Sequence, residues 1–84
     1  MRRPTKADRV LQLSEWMLSG YHRELRERSP LSQLDVAETC EVTQSAVARW
    51  EHNKRRPRGR AAEAYHRILA RLAAAEAAQK ETAP

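Results

Sequence analysis

Gln44 and Ser45 stand directly after Thr43, and Ala48 and Arg49 follow one helical turn later. Threonine is a good helix cap, so Thr43 predicts a short helix over about residues 44 to 52. On that helix the four residues share one face. A glutamine amide donates and accepts together, as an adenine edge in the major groove requires. A serine hydroxyl can bond several bases. The Ala48 methyl can touch a thymine methyl and lets the helix approach closely. Arg49 can reach guanine or a phosphate. The chemistry these types can do together is base reading, and Gln44, Ser45, Ala48 and Arg49 are the expected base contacts.

A second set of residues suits phosphate. Gln33 opens the preceding helix, where free backbone amides can hold an anion. Its side chain can also brace Gln44, amide to amide. Thr43 and His52 flank the reading helix, and Lys54, Arg55, Arg56 and Arg58 follow it. These seven are the expected phosphate contacts, and they would supply the salt-dependent part of affinity.

The chain has 84 residues and a formal charge of +5, from 16 basic and 11 acidic side chains. Residues 49 to 60 hold six of the basic groups and one acid, Glu51. The remaining segments are therefore balanced, and all the excess charge sits in one short window. A concentrated patch favours a polyanionic partner, whereas a merely solvated face mixes signs.

Other chemistries find little support. His22, His52 and His66 lack metal-ligand spacing, so no metal or cofactor is expected. His22 and His66 read as surface groups. No nucleophile–base set or glycine-rich phosphate loop appears, which argues against an enzyme. Cys40 rules out an internal disulfide and reads as a small buried hydrophobe. No apolar run approaches the length of a membrane span, and no signal peptide is recognisable. A cytoplasmic protein of a bacterial host cell is expected.

The elements that position these residues are helical, since β-branched residues are sparse. Thr5 caps a helix over about residues 5 to 28, with Val10, Leu13, Met17, Tyr21 and Leu25 as its apolar stripe. Gly20 either bends or breaks it. Trp16 and Leu18 lie off that stripe and either widen the core or form a dimer patch. Ser29-Pro30 stops the helix. Ser32 caps the next one, about 33 to 39, with Val36, Ala37 and Cys40 inward. Cys40-Glu41-Val42 is the turn. Val47 and Trp50 face inward from the following helix, and Asn53 suits the left-handed backbone that ends it. A last helix spans about 60 to 79, with Tyr65, Ile68, Leu69 and Leu72 apolar. Residues 1 to 79 form one domain in this reading, and 80 to 84 a disordered tail.

The stretch "LSQLDVAETCEVTQSAVARWEHNKRRP", residues 31 to 57, resembles the Cro/C1-type (XRE) helix-turn-helix family. The likeness lies in Leu-Ser-Gln, the alanine of the second helix, Val-Thr-Gln-Ser, Arg-Trp-Glu and the Lys-Arg-Arg-Pro exit. It implies an all-α, lambda-repressor-like bundle of four or five helices that binds double-stranded DNA, as a homodimer on a palindromic operator. Two positions depart from the family pattern. Glu41 and Asn53 stand where glycine is common, and a left-handed backbone at Glu41 would be strained, so the turn is expected to differ slightly there.

The expected function is a transcriptional regulator, acting as a repressor in the manner of a phage Cro protein or an operon controller. The chain leaves no room for a sensing domain, so regulation would follow its own concentration. Ile68, Leu72 and Ala75 are the expected dimer contacts, with the N-terminal helix as the alternative. Two rival readings are an autoregulating antitoxin, with a toxin as its partner, and a protein–protein adaptor that kept the fold.

Overall fold

The computed structural model describes residues 2–82. Five helices follow one another: α1 Lys6–Ser19, α2 Tyr21–Glu27, α3 Gln33–Cys40, α4 Gln44–Glu51 and α5 Gly59–Thr82. Among the described residues there is no strand, and the class is all-α. Two boundaries differ from the sequence reading. Residues 80 to 82 continue α5 rather than begin a tail, while 83 and 84 lie outside the described residues. The single N-terminal helix is two. Gly20 takes φ 81°, and its amide donates to the Met17 carbonyl. Only a residue without Cβ enters that conformation freely, so the chain turns there.

Local chemistry sets the helix starts. Thr5 and Asp8 exchange hydrogen bonds with each other's amides, at 3.1 and 2.8 Å. Ser32 and Asp35 repeat this capping box at 3.0 and 2.8 Å. The amide of Ser32 holds the Asp35 carboxyl below its ordinary range. Thr43 Oγ1 accepts the Ala46 amide at 3.1 Å and starts α4.

The helix-turn-helix turn corrects one expectation. Glu41 does adopt the left-handed backbone, with φ 57° and ψ 45°, and the amide of Val42 reaches back to the Ala37 carbonyl at 3.0 Å. The turn therefore keeps the geometry that glycine would give, and Glu41 bears the strain. Glu41→Gly is expected to raise stability by about 0.5–1 kcal/mol, the steric relief being partly offset by backbone entropy. The midpoint of urea unfolding measures this. A lower midpoint would mean that the Glu41 side chain contributes more than its backbone costs.

The core is Leu13 and Met17 of α1, Leu25 of α2, Val36, Ala37 and Cys40 of α3, Val47 and Trp50 of α4, and Tyr65 and Leu69 of α5. The rings of Trp50 and Tyr65 meet at 4.9 Å. Helix α5 is the spine, in contact with α1, α2 and α3, and α4 packs on α3. Ion pairs fasten the outer helices to the spine: Arg9 of α1 to Glu63 and Arg28, after α2, to Glu76, each at 3.1 Å.

Three sequence assignments change in the packed structure. Val10 is exposed, because α1 turns Leu13, Trp16 and Met17 inward instead. Trp16 widens the core, as one of its two readings had it, and Leu18 stays in solvent. His22 and His66 are buried. The His22 ring bridges the carbonyls of Trp50 and Trp16 at 2.9 and 3.2 Å. His66 stacks on Trp16 at 5.6 Å and donates to Gln12 Oε1 at 2.7 Å. Burial pushes the Cys40 thiol up to about 11, so it stays protonated and unreactive at neutral pH. Among the described residues no helix is long and apolar enough to cross a membrane.

Candidate nucleic-acid interface

Helix α4 turns Val47, Trp50 and Glu51 inward. Its opposite face is thereby offered to solvent. Gln44, Ser45 and Arg49 are exposed on it, and Ala48 is half-buried. The four sequence-predicted base-reading positions thus share one outward face at the start and middle of the helix.

Behind this face runs a chain of polar contacts that the sequence does not announce. Glu51 is buried, its side chain 2% exposed, and Arg26 of α2 grips it through two nitrogens, Nε and Nη2. Arg26 Nη1 also donates to the Leu31 carbonyl at 3.3 Å. Gln33 Nε2 donates to the same carboxylate at 2.9 Å. Gln44 Nε2 then donates to Gln33 Oε1 at 3.4 Å. The expected brace between the two glutamines is present, and it is itself anchored on a buried ion pair. The bond to Glu51 holds the Arg26 guanidinium more firmly protonated than usual. Glu51 and Arg26 were missed as parts of the site. Glu51 follows Trp50 on the inward face, and that register was the one available hint.

Thr43 and His52 sit at the two ends of α4 as its caps, both exposed. The Thr43 hydroxyl oxygen is engaged in capping, and its own proton remains available as a donor. Past His52, Asn53 takes φ 56°, as expected of a residue that tolerates this region. The amide of Lys54 returns to the Arg49 carbonyl at 2.9 Å and closes the helix. Lys54, Arg55, Arg56 and Arg58 are all exposed in the loop that follows.

Two contacts from α1 hold this loop. Asn53 Nδ2 donates to the Met17 carbonyl at 2.9 Å, and Arg56 Nη1 donates to Ser14 Oγ at 3.2 Å. None of the loop cations, nor Arg49, is ion-paired among the described residues. Arg9, Arg23, Arg26 and Arg28, by contrast, each have a carboxylate partner. The one acid of the basic window, Glu51, points into the core. The window therefore shows solvent only cations and no compensating charge.

Ile68 and Leu72, the expected dimer contacts, are half-buried against the core. Ala75 is exposed. The three are therefore not one free stripe, because α5 uses the first two to close the bundle. Among the described residues no His, Cys, Asp and Glu cluster is placed to hold a metal ion.

A family model described as helix-turn-helix matches residues 23–72. The match takes in most of α2, all of α3 and α4, the basic loop and α5 as far as Leu72, and it excludes α1. No curated protein and no solved structure matches the chain.

Proposed function

Since the chain belongs to the Cro/C1-type (XRE) helix-turn-helix family and is a DNA-binding regulator of that kind, we propose that it is a repressor that binds a palindromic operator as a homodimer. The observation that carries this reading is the outward face of α4 beside a loop of unpaired cations. Helix α4 enters the major groove, with Gln44, Ser45, Ala48 and Arg49 at base edges. Lys54, Arg55, Arg56 and Arg58 run along the backbone and release counterions. Thr43 and the N-terminus of α3 at Gln33 approach phosphates on the other flank, and His52 approaches them at the loop end of α4.

One short helix reads only a few base pairs. Symmetric pairing doubles the contacts and fixes the half-site spacing near one turn of DNA. Occupying promoter DNA in this way excludes polymerase, which is the simplest regulatory act open to such a domain.

The test is selection of duplexes by purified protein from fragmented source-genome DNA at near-physiological salt, followed by sequencing. An enriched inverted repeat beside a promoter is the expected result. Uniform recovery would sink the operator reading. A second protein required for any binding would favour the antitoxin reading instead.

Arg56→Ala separates the two kinds of contact. It is expected to weaken binding to all duplexes alike and to flatten the salt dependence by about one phosphate's worth, roughly 0.9 in log–log slope. Titrations at several salt concentrations on operator and random DNA measure this. A loss confined to the operator would place Arg56 at a base instead.

A further inference from the structure

His22 is fully buried, 0% exposed, and the interface described so far makes no use of it. Its Nε2 lies 2.9 Å from the carbonyl oxygen of Trp50, in the last turn of α4. Its Nδ1 lies 3.2 Å from that of Trp16, in the last turn of α1. A carbonyl can only accept, and a neutral imidazole donates through one nitrogen alone. Satisfying both contacts takes hydrogen on both nitrogens, which makes the ring a cation. Two helix C-termini converge on it, and the negative ends of their dipoles favour such a charge. Among the described residues the other buried ionisable groups are Cys40 of α3, Glu51 of α4 and Tyr65 and His66 of α5, with Arg26 of α2 partly buried and none buried on α1. Arg26 and Glu51 neutralise each other. Burial pushes the Cys40 thiol and the Tyr65 phenol up and the His66 imidazole down, so all three stay uncharged at neutral pH.

The same half of α1 holds the basic loop. Asn53 Nδ2 donates to the Met17 carbonyl at 2.9 Å, and Arg56 Nη1 to Ser14 Oγ at 3.2 Å. Ser14, Trp16, Met17 and His22 all precede residues 23–72, which match the family. The helix-turn-helix is thus fastened from outside itself.

We propose that His22 is a positioning residue for the DNA grip: its doubly protonated ring pins the end of α4 to α1, and the loss of one hydrogen as pH rises frees the basic loop. The inference rests on the reading of that loop as the phosphate contact. A neutral ring turns a lone pair on one of the two carbonyls, and in a dry site that contact repels instead of holding. Each carbonyl keeps a second donor, the Asn53 amide for Trp50 and the Ser19 hydroxyl for Trp16. Losing the bridge therefore loosens the junction without undoing either helix. A looser loop has more freedom to lose when it grips phosphates, so affinity falls. Phosphates carry no sequence information, so the fall is the same on every duplex.

The experiment compares the full chain with His22→Gln, whose amide can still donate to Trp50 but does not titrate. Both proteins carry His52→Gln, so that the exposed imidazole at the end of α4 adds no titration of its own. Dissociation constants for a random-sequence duplex are measured at fixed salt from about pH 5 to 8, the range in which imidazole changes charge. Raising the pH is expected to weaken binding by the protein with His22 about fivefold or more, the low end of ordinary coupling between two sites. The His22→Gln profile should be nearly flat. Nitrogen NMR of the free, histidine-labelled wild-type chain reads the ring directly. At the acid end both His22 nitrogens should carry hydrogen, and the amides of residues 50–56 should shift together with the ring.

Parallel pH profiles for the two proteins, or a His22 ring that keeps a bare nitrogen across the whole range, would each overturn the proposal. If His22→Gln fails to fold by circular dichroism, the wild-type ring and loop spectra decide alone. Those spectra need no DNA. A ring and loop that titrate together while duplex affinity stays flat would place the failure in the phosphate reading of the loop, and would overturn the role of His22 in DNA binding with it.

Discussion

Glu51→Ala is expected to cost about 3–5 kcal/mol of folding stability, because it strands a buried charge. Arg26 sits with its side chain only 16% exposed, and its guanidinium cannot shed its proton to escape. Removing the carboxylate also leaves Gln33 Nε2 without its acceptor. Urea unfolding of the variant measures the loss. Replacing both partners with apolar residues, Arg26→Met with Glu51→Leu, should recover most of it, since neither charge then remains to be desolvated. A loss below about 1 kcal/mol for Glu51→Ala would put the pair in the class of solvated surface bridges. Folded Glu51→Ala protein should also bind operator less selectively, because the anchor of Gln33, and through it of Gln44, is gone.

The second large effect falls on recognition. Gln44→Ala is expected to cost about 1–3 kcal/mol on the operator, the range of one bidentate base contact, with little change on random duplex. The glutamine is set in advance. Its amide leans on Gln33 at 3.4 Å, and Gln33 leans on Glu51 at 2.9 Å. Less side-chain freedom is therefore lost on binding than for a free surface glutamine. Competition binding with operators changed one base pair at a time, at fixed salt, checks this. Discrimination should relax at one position in each half-site. An equal loss on operator and random DNA would make Gln44 a phosphate contact or a purely structural residue.

The two substitutions probe one chain of contacts from opposite ends. Arg26, Glu51, Gln33 and Gln44 link α2 to the outward face of α4. The expected loss of stability concentrates at the buried end and the expected loss of specificity at the exposed end. An ion pair that roughly breaks even in folding can still serve by fixing the direction of the groups bonded to it.

Much of this was legible in the residues. Thr5, Ser32 and Thr43 announce the starts of α1, α3 and α4, because capping is a contact between neighbours three apart. Ser29-Pro30 announces the end of α2, and Asn53 the end of α4. The alternation of inward Val47 and Trp50 with outward Gln44, Ser45 and Arg49 follows from helical period alone. The expectation that the turn would differ at Glu41 weighed its backbone preference without the pull of packing. Val36, Ala37 and Cys40 on one side and Val47 and Trp50 on the other hold α3 and α4 together firmly enough to impose φ 57°.

The sequence by itself determined the all-helical class, the helix-turn-helix and the concentration of cations after it, since each depends on residues close along the chain. Only the tertiary structure decided that Glu51 is buried on Arg26, 25 residues away, and that His22 and His66 lie inside. It alone decided too that Val10, Leu11 and Leu18 lie outside. A carboxylate, an imidazole or a leucine on a helix reads alike whether its neighbour is water or another helix. Which one it meets depends on how α1, α2 and α5 close around the core.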